Sequence, residues 1–225
     1  MAKTGVEYYN GTYKRVIDAS AATIAGGLLL APAGIAYTGA CIDNRTIAPF
    51  FRQKRQGQFA AAVELIKLRS LQASKTTGEV ITYGTDDPRA TKIGQFIRSS
   101  SLDEYPQLLQ VVRGELSLNG PRLCVDGDLE KLKSAAPRLF PYYLDACSEL
   151  KRPGLTGVSQ IFRRQFSELT PEVMKRSMEL DIEWIENVNP FLDLALMATT
   201  LPLLVAAARA HHNQATVVLP QSQAA

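Results

Sequence analysis

Histidine is almost missing from this chain. Its 225 residues include two, His211 and His212, adjacent and near the C-terminus. Histidine-based catalysis is therefore set aside, and any acid, base or nucleophile is sought among the carboxylates. Cysteine is nearly as scarce. Cys41, Cys124 and Cys147 form no CxxC pair, no zinc spacing and no even disulfide set, which fits a reduced, cytosol-facing protein. An excess of one charge is lacking too: 25 basic residues against 22 acidic leave +3, too little for a polyanion binder that relies on bulk charge, and no nucleic-acid partner is expected. Aromatics at 8% and hydrophobic residues at 46% exclude a disordered chain. They suffice for one medium domain, or one domain with an appendage.

Against these absences stands one long apolar run. Ala19 to Ile42 carries no charged side chain over 24 residues. As a helix it would extend about 36 Å, enough to cross a hydrocarbon core of about 30 Å. It is too long, starts too late and has Asp18 at its mouth, so it is not a cleavable signal peptide. Pro32 near its middle removes a backbone hydrogen bond and kinks the helix. Both flanks are basic, with Lys14 and Arg15 before and Arg45, Arg52, Lys54 and Arg55 after, so charge asymmetry orients neither end. A segment that enters, bends at Pro32 and returns to the same face satisfies both flanks. A kinked transmembrane helix and a very apolar buried helix satisfy the same run.

Between Asp43 and Thr77 the basic residues Arg45, Arg52, Lys54, Arg55, Lys67, Arg69 and Lys75 face two acids, a local net charge of +5. Such a stretch suits anionic headgroups, phosphorylated ligands or a solvated membrane-flanking face. Beyond it, helical patterns alternate with turns. Asp86-Asp87-Pro88 starts a turn, Thr91 to Arg98 and Leu102 to Val112 read as amphipathic helices, and Asn119-Gly120-Pro121 is a turn. Leu129 to Leu150 is helical with breaks near Pro137 and Pro141, Gly157 to Phe162 reads as a short strand, and Pro171 starts a helix to about Glu186. Leu194 to Ala208, apolar and 15 residues long with Pro202 inside, suits a helix lying in a membrane interface.

The residues that could carry chemistry are Ser101-Leu102-Asp103-Glu104. Serine followed three residues later by glutamate is a capping box, and acids in a first turn favour the helix dipole. The same physics serves chemistry, because an aspartate held near backbone N–H groups stays ionised and can attack phosphorus. That attack needs cations nearby to neutralise anion–anion repulsion. Arg98 lies five residues upstream, while Arg122 after Gly120-Pro121 and Arg152 before Pro153-Gly154 sit at turns that could present a guanidinium fork to phosphate. Each is also an ordinary surface arginine.

From Asp87 to Arg122 the chain resembles the bacterial sugar transferase family, the monotopic phosphoglycosyl transferases. The resemblance rests on Asp87-Pro88-Arg89, Thr91, Gly94, Phe96-Ile97-Arg98, Ser101-Leu102-Asp103-Glu104, Pro106-Gln107-Leu108, Gly114-Glu115, Ser117 and Gly120-Pro121-Arg122. Arg52-Gln53, Arg55, Gly57, Lys67 and Arg69-Ser70 extend it upstream; Arg152-Pro153-Gly154, Thr156-Gly157, Gln160 and Asp181 extend it downstream. It covers about residues 11 to 208. It implies a re-entrant membrane helix kinked at Pro32 and a ping-pong reaction at the cytoplasmic face of the bacterial inner membrane. Asp103 would take the phosphosugar from a UDP-sugar, releasing UMP, and pass it to a polyprenol phosphate such as undecaprenyl phosphate. Glu104 would assist, Mg²⁺ held at Asp103 and Glu104 would screen charge, and Lys67, Arg98, Arg122 and Arg152 would bind phosphate or donor. Membrane lipids, and a homo-oligomer or other glycan-pathway enzymes, are the remaining partners in view. The chain departs from the pattern at Ala31-Pro32 for Ser-Pro, at Leu123 for a second proline, at Val158 for a tryptophan and at Ile161-Phe162 for Val-Asn.

The expected fold is α+β and mainly helical, a membrane-associated monotopic domain with an N-terminal re-entrant helix and interfacial helices. The expected organisation is a leader over 1–13, the re-entrant helix over 14–43, a catalytic domain with interfacial helices over 44–208, and a disordered tail over 209–225. Two other classes compete: a catalytically silent membrane scaffold of a glycan assembly complex, and a peripheral anionic-lipid binder. Asp103, Glu104, Arg98 and Arg122 together count against the first, and the second leaves that constellation without a role.

Overall fold

A computed structural model describes residues 4–43, 48–55, 63–71, 91–124, 127–166 and 168–199. The chain is mainly helical with two small sheets, in keeping with the α+β expectation. Helices α1 (Thr4–Asn10), α2 (Thr12–Leu28) and α3 (Leu30–Asp43) lead into an antiparallel hairpin of β1 (Phe50–Arg55) and β2 (Val63–Leu68), with Phe51 opposite Lys67. Then come α4 (Lys92–Ser99), a single 3₁₀ turn (Leu102–Glu104), α5 (Tyr105–Arg113) and β3 (Ser117–Asn119). After α6 (Asp128–Ala135) and α7 (Phe140–Ser148), β4 (Gly154–Thr156) returns parallel to β3. Helices α8 (Val158–Arg163), α9 (Pro171–Asn187) and α10 (Pro190–Thr199) follow.

The main core gathers around α9. Thr170 caps that helix by accepting from Val173 N–H at 3.4 Å, and Pro171 occupies its first turn, where no N–H is needed. Its buried residues recur at helical spacing, from Val173 and Met174 through Met178 and Ile182 to Ile185. Helix α1 packs on α9 through the fully buried Tyr9, whose ring meets Trp184 edge-on. Within the expected leader, α1 thus packs into the core, and Thr12 and Tyr13 already open α2. A second, smaller core of Ala36, Ala40, Leu68, Ile97 and Leu102 joins α3, β2, α4 and the 3₁₀ turn.

The apolar run folds as two helices, α2 and α3, bent by 66° across Leu29. No single described helix is long and apolar enough to cross a membrane, although the bent pair has the length and composition together. The break falls three residues before Pro32, for a backbone reason. Proline offers no N–H to the carbonyl of residue 28 and its ring crowds that carbonyl, so the fault appears one turn upstream. Pro32 itself lies in the first turn of α3, where it is tolerated. Gly26 and Gly27 add backbone freedom just before the break.

One sequence expectation changes. Gly157 to Phe162 is not a strand. Val158 to Arg163 is helix α8, with Val158, Ile161 and Phe162 at i, i+3 and i+4, and the strand is the preceding Gly154–Thr156. The basic flank ahead of the run is taken up by the fold. Lys14 is fully buried, and Arg15 donates to Val111 O at 3.1 Å and to Val112 O, closing the C-terminus of α5. The turn at Asp86-Asp87-Pro88, residues 201–208 and the tail lie outside the described residues.

Candidate active site

Asp103 and Glu104 sit on the 3₁₀ turn, whose Leu102 is buried in the smaller core and anchors it there. The turn does not form the capping box. Ser101 adopts the left-handed region at φ 57° and makes no side-chain cap, and the Glu104 carboxylate turns away to cations. A non-glycine residue at positive φ is uncommon and costs about 1–3 kcal/mol, strain of the kind found at functional sites.

Three elements converge on the turn. From β2, Lys67 Nζ lies 2.8 Å from Glu104 Oε1 and 3.9 Å from Asp103 Oδ2. The strand is held in place by Gln110 of α5. Its Oε1 accepts from Ile66 N–H at 3.0 Å and its Nε2 donates to Glu64 O at 2.7 Å, so a buried amide completes the strand edge. From the loop after β3, the Arg122 fork grips both Glu104 oxygens, with Nη1 3.2 Å from Oε2, and also reaches Leu155 O at 3.3 Å. That loop is set by a close backbone approach: Gly120 lies at φ 154°, and a Cβ on Gly154 would stand 2.2 Å from Gly120 O. From the last turn of α4, Arg98 bears on Asp103 by its positive charge.

The two carboxyls are driven apart in acidity. Burial pushes Asp103 up to about 6, the neighbouring Glu104 charge adds to the rise, and Lys67, Arg122 and Arg98 oppose it. Burial acts on Glu104 in the same sense, but Arg122 and Lys67 outweigh it and hold that carboxyl well below the usual range. Adjacent carboxyls with diverging acidities mark a division of labour. Glu104 is a fixed anion that orients Lys67 and Arg122. Asp103 is the less tightly paired of the two.

Of the expected site residues, Asp103, Glu104, Lys67, Arg98 and Arg122 come together. Arg152 does not join them: its Nη2 donates to Tyr9 O at 3.3 Å, and Tyr9 Oη donates to Arg152 O at 2.9 Å, which ties α1 to the chain before β4. The fork of Arg122 is engaged by Glu104 rather than presented to a phosphate. Arg164, just past α8, was missed. Burial lowers its pKa, and the charges of Glu104, Arg122 and Asp103 act on it, so it bears on the dyad by its charge. Its only sequence signal was the Arg163-Arg164 pair, while Arg163 turns back to Ser159 O at 3.3 Å.

The basic stretch after α3 also comes apart. Arg52 pairs with Glu64 at 3.1 Å, Arg55 binds Leu123 O at 2.9 Å, Lys67 serves the dyad and Arg69 binds Ala48 O at 2.9 Å. The described side chains of that run thus go to separate partners.

The family model for bacterial sugar transferases matches residues 9–207. The chain belongs to the bacterial sugar transferase family. By that membership this transferase is an enzyme of the polyprenyl-phosphate phosphoglycosyl class. It is 31% identical over 192 residues to the UDP-glucose:undecaprenyl-phosphate glucose-1-phosphate transferase of Caulobacter vibrioides, covering 85% of this chain and 69% of that protein. It is 30% identical over 207 residues to the exopolysaccharide production protein ExoY of Rhizobium meliloti, covering 85% of each. The Klebsiella pneumoniae protein named as the same glucose-1-phosphate transferase is 33% identical over 151 residues, of which this transferase spans 31% of the length.

Among the described residues no three His, Cys, Asp or Glu side chains form a metal cluster. For Mg²⁺ the available donors are Asp103 and Glu104, and both Glu104 oxygens are already held by cations. That donor set fits an ion shared with a substrate's phosphates rather than an all-protein cage.

Proposed function

We propose that this transferase moves a sugar-1-phosphate from a UDP-sugar to a polyprenol phosphate through a covalent Asp103 intermediate. The observation that carries the reading is the clamped pair: a loosely held aspartate next to a glutamate fixed by Lys67 and Arg122. In the first half-reaction an ionised Asp103 oxygen attacks the sugar-linked phosphorus. The bond to the bridging oxygen breaks and UMP leaves with that oxygen. In the second, a phosphate oxygen of the acceptor attacks the same phosphorus, the acyl phosphate bond breaks, and the Asp103 carboxylate is restored. Lys67, Arg98 and Arg164 offset the repulsion between carboxylate and phosphate, and Glu104 keeps Lys67 and Arg122 in place. Mg²⁺, shared between Asp103, Glu104 and the diphosphate, would screen the same charge.

One substrate is soluble and the other is a lipid, so the reaction belongs at a membrane surface. The bent α2–α3 pair then enters the cytoplasmic leaflet of the inner membrane and returns. Its apolar surface supports this, with Leu28 77% and Ile35 72% exposed. The α10 helix, where Phe191 is 84% exposed, lies in the interface.

The test uses protein in nanodiscs with Mg²⁺ and a panel of UDP-sugars, UDP-glucose first because relatives are named for it. UMP release, a phosphosugar adduct by intact mass, and loss of both in Asp103→Asn are the expected results. Turnover retained in Asp103→Asn would remove the nucleophile, and silence of folded protein toward every donor would favour the scaffold.

A further inference from the structure

Helix α2 is stapled to the catalytic region at three points along its length. Arg15 binds the C-terminal carbonyls of α5. Asp18 accepts from Ser117 Oγ at 2.7 Å and from Leu118 N–H at 3.3 Å. The third staple is Tyr105, whose hydroxyl donates to Gly26 O at 3.0 Å. The first two grip the base of α2. The third lies eight residues beyond Asp18, about 12 Å up the helix, and just short of the bend at Leu29.

Its chemistry is specific to the bend. The last four carbonyls of a helix have no intrahelical partner, and Gly26 O is one of these in α2. A straight helix would bind it to the N–H of residue 30. At the bend the Tyr105 hydroxyl takes that place. Tyr105 is also the residue after Glu104 and the first of α5, so a single side chain links the bend to the dyad.

We infer that Tyr105 is a positioning residue that fixes the bent apolar pair against the dyad, and so sets where a lipid-borne phosphate meets Asp103. The inference rests on the reaction proposed above. A soluble donor reaches the dyad from water whatever the angle of α3, whereas an acceptor anchored in the bilayer depends on it. Losing the hydroxyl therefore impairs the second half-reaction selectively.

The experiment compares wild type and Tyr105→Phe as full chains in nanodiscs. Single-turnover UMP release without acceptor is expected to stay within about twofold. Turnover at saturating polyprenol phosphate is expected to fall about fivefold, a change of about 1 kcal/mol, the order of one hydrogen bond. Independently of activity, spin labels at Tyr13→Cys and Ile35→Cys in a Cys41→Ala background read the bend, and Tyr105→Phe should broaden their distance distribution. Equal losses in both half-reactions, or an unchanged distribution with unchanged turnover, would overturn the inference. Wild-type protein silent toward all donors would instead sink the proposed reaction.

Discussion

Asp103 ionises at a cost to folding, because the buried carboxyl is pushed up to about 6 from 3.8 while its cations are committed mainly to Glu104. The folded state holds this proton more tightly than the unfolded chain. Stability from the protonated form is therefore complete below about pH 4 and is lost as pH rises through about 6. Asp103→Asn keeps that contribution. It should abolish turnover yet raise stability at pH 7.5 by about 2 kcal/mol, with no gain at pH 4, as read by unfolding at the two pH values. Covalent UMP release by wild type should climb with pH through about 6, since only the carboxylate attacks phosphorus; a flat profile from 5 to 7.5 would contradict the assignment. Glu104 has the opposite sign. Its carboxyl is held low, so its contribution is present at neutral pH and fades in acid. Glu104→Gln leaves Lys67 and Arg122 without their anion and should lower stability by about 2–4 kcal/mol at pH 7.5.

At the scale of elements, the base of α2 is held by buried charge. Lys14 Nζ lies 2.7 Å from Asp18 and 2.9 Å from Asp193, and Asn119 Nδ2 adds a hydrogen bond to Asp193 Oδ1 at 2.9 Å. One cation thus ties α2 to α10 and faces β3. Lys14→Met would strand two buried carboxylates and is expected to destabilise by about 3–5 kcal/mol, with α10 becoming sensitive to protease. Unchanged stability would mean the cluster contributes little. The i,i+4 spacing of Lys14 and Asp18 is visible in the sequence, but Asp193 is 179 residues away and α10 reads as a plain apolar segment. Helix α8 was misread for a related reason: Val158, Ile161 and Phe162 favour strands by type, while the packing of α8 against α9 decides for a helix.

Over the whole molecule, apolar exposure collects on α2, α3 and α10, while the dyad is fixed where α3, α4, β2 and α5 meet. Anchoring of this kind resists salt, because apolar transfer is unscreened whereas headgroup attraction decays with the Debye length. The protein is expected to stay with vesicles of anionic lipid in about 1 M salt. Release under those conditions would favour the peripheral lipid binder. Cysteines at Tyr13 and Arg52 should be labelled by an impermeant reagent from the same side of sealed vesicles; labelling from opposite sides would replace the re-entrant reading by a span.

Local chemistry determined much of this protein without tertiary help. The charge-free run, the break imposed by Pro32, the caps at Thr91 and Thr170 and the Asp103-Glu104 pair all follow from backbone geometry and residue type within a few positions. That Glu104 is clamped while Asp103 is held more loosely was decided elsewhere, by the convergence of Lys67 from β2 and Arg122 from the loop after β3 mainly on Glu104. The removal of Arg152 to the α1 side, the arrival of Arg164, the burial of Lys14 and the link from Tyr105 to Gly26 were settled the same way. Burial and pairing depend on what the chain brings close from far along its length. Spacing along the sequence carries no record of that.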